Sequence, residues 1–304
     1  MIYNVKEYVQ QEKERLADFL LKYNFSCTLL IFQVGDNPAS NSYIKGKMKD
    51  AAEIGINVIL EKHDEQWYLD VFNEVGAEWE RLKNLVESAD GVIVQLPIEN
   101  RGIEMMLCNF LTPENDVDGF LKNTLYEPCT PAGILEINEH YAMQKFPTLE
   151  GVNYYRDMSF LVLGQGELVG KPLAKMLIDK GATVYSYNSK SRKNLIGDAP
   201  IVDVVITAVG IKNIYDIEDF ERNCPDLIID AGTAVDEHGR LCGDVNKLLY
   251  EDKHVKITPV PGGVGLMTRL KLMKNTIEAT VRKRVGSDAP LRFLLLKQEL
   301  DKRW

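Results

Sequence analysis

No apolar run in the chain approaches the roughly 20 residues needed to cross a bilayer. The start, Met1-Ile2-Tyr3-Asn4-Val5-Lys6-Glu7, has neither the apolar core nor the small-residue cleavage site of a signal peptide. A membrane span and a secreted precursor are therefore not expected. None of the five cysteines (Cys27, Cys108, Cys129, Cys224, Cys242) stands in C-x-x-C spacing, so neither a zinc site nor a thioredoxin-like motif is expected. An odd number of cysteines without a signal peptide points to reduced thiols and a cytoplasmic location. Low-complexity segments and short repeats are missing too, which argues against a solenoid. Basic residues are outnumbered: 36 Lys plus Arg stand against 45 Asp plus Glu, a net charge of −9. Such a chain repels phosphate backbones, so nucleic acid is not expected as the main partner, while a local basic pocket for a small anion stays open.

What is present is ordinary globular material. A hydrophobic share of 45% and a charged share of 27% exclude a disordered tail, a collagen and a coiled coil. At 304 residues, two domains are expected. Val5 to Tyr23 has the spacing of an amphipathic helix. Cys27 to Gly35 is a continuous apolar run ending in glycine, as in a buried parallel strand. The pattern predicts a helix from Asn41 to Ile54 with Ser40 as its N-cap and Gly55 as its stop. A strand at Asn57–Leu60, a helix over Tyr68–Glu87 and a strand at Gly91–Leu96 follow. The second half repeats this grammar: strands are expected at 160–164, 182–187, 202–210, 226–230 and 255–258, with helices at 168–180, 268–284 and 291–302. Alternating strands and helices specify the α/β class with parallel sheets.

Several segments bear on chemistry. Gly164-Gln165-Gly166-Glu167-Leu168-Val169-Gly170 falls between a predicted strand and helix, where phosphates approach backbone amides. Its G-x-G-x-x-x-G spacing is one residue longer than the dinucleotide fingerprint and is equally that of a tight turn. The next strand runs into Ser189-Lys190-Ser191-Arg192-Lys193. Hydroxyls and cations there, without the acidic residue that binds an NAD ribose, favour NADP; a solvated basic loop is the plainer alternative. Tyr43 and Lys47 share one helix face, a pattern that any i,i+4 pair would show. A lysine beside an aromatic in a cleft can serve as a base. Gln95 is polar at the end of an apolar strand, where open sheets place ligands or simply close a strand. Asp116-Val117-Asp118-Gly119 reads as metal-ligating or as a turn, without EF-hand spacing. Pro259 to Gly265 is a stiff and then permissive loop, fit to close on a flat ligand or to link domains.

Taken in order, seven stretches carry a resemblance: Val34 to Ser40 with Tyr43 and Lys47; Val94-Gln95-Leu96-Pro97; Asp116 to Phe120; Pro128-Cys129-Thr130-Pro131; Val169-Gly170-Lys171-Pro172; Gly243-Asp244-Val245; and Thr258 to Gly265. From about Val34 to Ala279 the chain resembles the bifunctional methylenetetrahydrofolate dehydrogenase/methenyltetrahydrofolate cyclohydrolase family, the FolD type. The resemblance implies two α/β domains with a cleft between them: an N-terminal folate/catalytic domain (1–141 plus 266–304) and a Rossmann-like NADP-binding domain (142–265). It implies oxidation of 5,10-methylenetetrahydrofolate by NADP, then hydrolysis of the methenyl cation to 10-formyltetrahydrofolate. By position, Lys47 would be the general acid/base, Gln95 its hydrogen-bond partner, Tyr43 a platform for the pterin and Asp118 an acceptor for pterin N–H groups. Val94, Leu96, Pro261, Gly262 and Gly263 would complete the substrate site. Gly164, Gln165, Gly166, Val169, Gly170, Ser189, Ala208, Gly210 and Thr233 would hold NADP, and no metal is implied. Tetrahydrofolate derivatives as partners, a homodimer and a service to purine biosynthesis also follow from the resemblance.

Departures accompany it. The family has Gly-Arg-Ser in the phosphate turn, where this chain has Gly164-Gln165-Gly166, and the lost Arg is a 2′-phosphate ligand. Leu266 replaces the proline after Gly265, the segment from Gly119 to Pro128 is short, and Leu291 to Trp304 is an extension. Three alternatives stay open on the sequence: a cyclohydrolase without its dehydrogenase (or with one switched to NAD), a non-catalytic folate- or nucleotide-binding protein, and an unrelated NADP dehydrogenase.

Overall fold

The computed structural model describes residues 1–74, 76–145, 153–190, 201–286 and 289–302. The chain divides into two compact units. One comprises Gln10–Glu127 with Arg269–Trp304, the other Met1–Val9 with Pro128–Thr268.

In the first of these units, β1 (Thr28–Val34) lies between β2 (Asn57–His63) and β3 (Gly91–Val94), all parallel. Leu29 to Phe32 are fully buried, as the unbroken apolar run requires of a central strand. Helix α1 (Lys6–Tyr23) leads into β1, and α2 (Pro38–Ile54) joins β1 to β2. The start of α2 corrects the expectation of Ser40 as N-cap. Asn37 caps it, its side chain accepting from the Ala39 and Ser40 amides, with Pro38 in the first turn. The Asn-Pro pair outcompetes serine because proline pre-sets the first helical φ and needs no amide partner. Gly55 ends α2 at φ +93°, as expected. The helix expected over Tyr68–Glu87 is two, α3 (Glu65–Asn73) and α4 (Ala77–Ser88), with Gly76 in extended backbone as the N-cap of α4. Helix α5 (Arg101–Cys108) was not anticipated. Tyr68, Leu82, Ile103 and Leu107 of these helices pack with Leu30, Phe32 and Val92 of the sheet.

The other unit opens with α6 (Cys129–Lys145), also unanticipated. A five-stranded parallel sheet follows, built from β4 (Ser159–Leu163), β5 (Thr183–Tyr187), β6 (Val204–Thr207), β7 (Leu227–Asp230) and the later β10 (Lys256–Ile257). Its order is β10-β7-β6-β4-β5. The chain leaves β4 for β5 on one side and returns to β6 on the other, which is the strand-order reversal of a Rossmann sheet. Helices α7 (Gly170–Asp179) and α8 (Ile217–Asn223) and the short pair β8 (Ala234–Val235) and β9 (Leu241–Cys242) complete this unit. Leu161, Val205, Ile228 and Ile257 form its core with Tyr215 and Leu249. Helix α9 (Val264–Val285) and helix α10 (Pro290–Asp301) close the chain. Among the described residues, no helix is long and apolar enough to cross a membrane.

Candidate active site

Lys47 projects from the third turn of α2 and is only 5% exposed. Its Nζ donates to Gln95 Oε1 at 2.9 Å and stands 5.9 Å from the Tyr43 ring centre. Gln95 follows β3 directly, and its backbone N–H donates to Phe32 O at 2.9 Å, so the strand pairing fixes where its side chain begins. The Gln95 amide nitrogen donates to Leu96 O at 2.6 Å, which leaves the amide oxygen toward the lysine. Gln95 is thus a neutral acceptor that orients the amine.

The same face carries Tyr43, whose phenol is raised above its ordinary value by burial, lowered by Arg269 and raised by Asp118. Asp118 thus acts on Tyr43 from its own loop. That loop is built by Asp116, fully buried, whose carboxylate accepts from the Phe120 and Leu121 amides at 3.1 and 2.7 Å. Burial pushes the Asp116 carboxyl up. Asn275 of α9 donates to Val117 O at 2.9 Å and pins the loop further. Asp116 is therefore a turn brace, and Asp118 is the residue the turn presents. Val94 and Leu96 flank Gln95, each part-buried. Tyr43, Lys47, Val94, Gln95, Leu96 and Asp118 all belong to this one unit.

In the other unit, the nine cofactor candidates lie at the C-terminal ends of four adjacent strands. Gly164, Gln165, Gly166, Val169 and Gly170 follow β4; Ser189 follows β5; Ala208 and Gly210 follow β6; Thr233 follows β7. Gly164 has φ +107°, and a Cβ there would run into the carbonyl of Ala208. A Cβ on Gly170 would collide with Gly164 O. Both glycines are thus required by close backbone approach, whereas Gly166 has nothing within 4 Å and faces open space. Helix α7 has Val169 as its N-cap, without a side-chain cap bond; the Lys171 amide already donates to Gly166 O at 3.1 Å and Pro172 has no N–H, which leaves the Gly170 amide for an anion. Gln165 is tied down instead: its amide nitrogen donates to Ser186 O and Oγ, both at 3.0 Å, and Asn188 donates to its oxygen at 2.8 Å. This brace between turn and β5 was not foreseen, because Ser186 and Asn188 carry no motif.

Two buried carboxylates below this edge were also missed as positioning groups. Asp230 accepts from the amides of Gly232, Asp244 and Val245 and from the Thr207 hydroxyl. Asp244 accepts from Val209 and Ile211 at 2.7 and 2.8 Å. Burial raises both carboxyls. Together they hold the loops that carry Ala208, Gly210 and Thr233. Pro261, Gly262 and Gly263 lie in the same unit; Gly262 has φ +111°, and a Cβ on Gly263 would approach Pro259 O to 2.8 Å. Arg192 and Lys193 lie outside the described residues.

Comparison with known proteins turns on two family models. The one described as "Tetrahydrofolate dehydrogenase/cyclohydrolase, catalytic domain" matches residues 3–118, and the one described as "Tetrahydrofolate dehydrogenase/cyclohydrolase, NAD(P)-binding domain" matches residues 128–284. The chain belongs to the tetrahydrofolate dehydrogenase/cyclohydrolase family. The bifunctional protein FolD of Staphylococcus epidermidis is 35% identical over 283 residues, covering 90% of this chain and 93% of that protein. Among solved structures, the bifunctional FolD enzyme of Campylobacter jejuni superposes with a TM-score of 0.74 at 28% identity, covering 93% of this chain and 99% of that one. The bifunctional dehydrogenase/cyclohydrolase of Thermoplasma acidophilum has a TM-score of 0.76 over 94% of this chain and all of that one; at 23% identity it speaks for the fold. The two-domain α/β architecture expected of a tetrahydrofolate dehydrogenase/cyclohydrolase is thus the one observed.

Proposed function

We propose that this chain oxidises 5,10-methylenetetrahydrofolate with NADP and hydrolyses the resulting methenyl cation to 10-formyltetrahydrofolate. The observation that carries the reading is Lys47, buried on the Tyr43 face of α2 and held by the Gln95 amide at 2.9 Å, in a member of this family. Folate chemistry is assigned to 1–141 with 266–304, and cofactor binding to 142–265.

In the hydrolysis, water adds to the methenyl carbon and loses a proton, and the ring C–N bond then opens as its nitrogen gains one. Lys47 takes the first proton as the free amine in this reading and returns one to the departing nitrogen. A cationic substrate disfavours a second positive charge beside it, which suits a base. Tyr43 offers the flat face against which the pterin rests, and Asp118 accepts from its N–H groups. NADP, when bound, supplies the hydride acceptor. The residues fit such a cofactor: Gly164 and Gly170 let backbone close up, Gly166 leaves space, and the Gly170 amide at the start of α7 is left for a diphosphate. Ser189 and Lys190 supply a hydroxyl and a cation for the 2′-phosphate. The chain's part in hydride transfer is orientation of two rings, with no proton to move.

A cytoplasmic homodimer serving purine biosynthesis is the setting that goes with this reading. The deciding experiment follows absorbance of the methenyl compound with the purified protein. Its formation is measured with NADP and with NAD, and its decay is measured alone. Formation with NADP and faster-than-spontaneous decay are expected. Decay without formation would leave a cyclohydrolase only, and neither would leave a binding protein.

A further inference from the structure

Asn188 enters the scheme above only as a partner of Gln165, yet its amide is committed on both sides. Strand β5 runs into it directly, and the β4–β5 pairing continues past the strand ends, with the Gly164 N–H donating to Tyr187 O at 2.9 Å. The Ser186 carbonyl can only accept, so it takes the Gln165 amide nitrogen at 3.0 Å and turns the Gln165 oxygen away. That oxygen can only accept in turn, and it takes the Asn188 amide nitrogen at 2.8 Å. The Asn188 oxygen is left for a donor, and it accepts from the Lys190 N–H at 2.8 Å. A side-chain oxygen that accepts from the amide two residues on closes an Asx-turn. One asparagine thus closes the turn after β5 and ties it to the turn after β4, which takes a donor and an acceptor on the same short side chain.

Ser189 and Lys190 ride on that turn, and both are exposed. Lys190 differs from the lysines that precede it from α6 onward. Lys145 pairs with Asp226, Lys171 with Glu167, Lys175 with Asp179 and Lys180 with Glu139. Among the described residues, Lys190 pairs with no carboxylate. The one acidic side chain of the phosphate turn, Glu167, is the one engaged by Lys171. A cation without a carboxylate, on a turn tied to Gln165, suits an anion that arrives with a ligand. A turn already closed leaves less conformational freedom to give up when that anion binds. Only NADP brings a 2′-phosphate, so NAD gains nothing from a placed Lys190.

We propose that Asn188 is a positioning residue for cofactor choice: it holds the turn that carries Ser189 and Lys190 ready for the 2′-phosphate of NADP. This rests on the NADP reading above and names the residue through which the turn after β5 takes part in it.

The test is calorimetric titration of NADP and of NAD into wild type, Asn188→Ala, Asn188→Ser, Lys190→Met and the Asn188→Ala/Lys190→Met double variant. Serine still closes a turn onto the amide two residues on, but it is too short to reach Gln165. The alanine and serine variants therefore lose the Gln165 contact alike and differ in the Lys190 turn. The preference for NADP over NAD should fall by roughly three- to ten-fold in Asn188→Ala, the worth of one hydrogen bond, and by less than about two-fold in Asn188→Ser. In the Lys190→Met background, adding Asn188→Ala should change the remaining preference by less than about two-fold, because the group it positions is gone. NAD affinity in each variant reports an intact cofactor unit. An undiminished preference in Asn188→Ala, an equal loss in the alanine and serine variants, or a full further loss in the double variant overturns the proposal. If wild type binds neither nucleotide, the dinucleotide reading has failed and this proposal with it; if it binds NAD as tightly as NADP, the dinucleotide reading stands and only the proposal has failed.

Discussion

Replacing Gln165 by Arg separates the two contributions of the phosphate turn. On the sequence the change looks purely beneficial: it restores the family's cation, and a charge-assisted bond to a 2′-phosphate contributes about 1.5–3 kcal/mol, or roughly ten- to a hundred-fold in affinity. In the structure Gln165 is already engaged, with two contacts to Ser186 at 3.0 Å and one from Asn188 at 2.8 Å. Part-exposed neutral hydrogen bonds contribute about 0.5–1.5 kcal/mol each at most, and the shared donor counts as less than two. Their loss frees the turn, which must then be ordered when a dinucleotide binds, at a cost of about 1–2 kcal/mol for either nucleotide. NAD should therefore weaken by roughly five- to thirty-fold. NADP should change little in absolute terms, because gain and loss nearly cancel. The ratio of the two dissociation constants should move toward NADP by ten- to a hundred-fold. Calorimetric titration of both nucleotides into both proteins reads this directly. An unchanged ratio would show that position 165 does not face the 2′-phosphate; an unweakened NAD would show that the brace to β5 contributes nothing to the ordering of the turn.

Lys47→Met should abolish methenyl hydrolysis while leaving part of the hydride step, since orientation survives the loss of a base; hydrolysis near the wild-type rate would remove Lys47 from the mechanism. Asp118→Ala should weaken folate by about 1–3 kcal/mol, leaving pterin N–H donors unpaired, with dinucleotide affinity unaltered; equal folate affinity by calorimetry would reduce Asp118 to a turn residue. Asp244 has a folded-state carboxyl raised by burial, so the native state keeps its proton longer than the unfolded chain. Its stabilising contribution is then greatest below the ordinary carboxylate range and declines as pH rises through the folded value. The gap in Tm between wild type and Asp244→Asn should accordingly narrow as pH rises above the ordinary carboxylate value of about 4; a gap that widens would reverse the assigned shift.

The parallel strands were legible because burial on both faces leaves an apolar run no alternative: Leu29 to Phe32 and Phe160 to Leu163 are fully or almost fully buried. Local competition was less legible. Asn37 wins the α2 cap over Ser40 through the following proline, and the helical pattern from Tyr68 to Glu87 continues in phase across a break that only Gly76 signals. Helix α6 escaped because twelve of its seventeen residues are buried, which erases the amphipathic stripe that marks a surface helix. The candidate site divides the same way. Lys47 and Gln95 were found through motif order, and their 2.9 Å contact bears on the partnership expected of them. Asp244 stood in one of the motifs, but its bracing role, that of Asp230 and the Ser186–Asn188 brace were not legible, because each acts through backbone amides or through neighbours remote in sequence.

That division has a physical reading for how this chain sets up its chemistry. The meeting of Lys47 with Gln95 is determined by backbone registers. The Gln95 amide donates to Phe32 O and extends the β1–β3 pairing, so Gln95 starts from a strand end that cannot slip. Lys47 is three turns into a helix whose rotation is fixed at Asn37 and again at Asn41, whose side chain accepts from the buried Gln33 of β1 at 2.7 Å. A helix clamped to the central strand and an amide launched from its neighbour have one relative placement. The donor–acceptor pair is therefore formed before any substrate arrives, and little reorganisation remains at the reacting step. Gln33 belongs to this arrangement as a positioning residue. It is 1% exposed, and beyond Asn41 its amide nitrogen reaches Gly35 O at 3.3 Å, tying together the turn from which α2 departs.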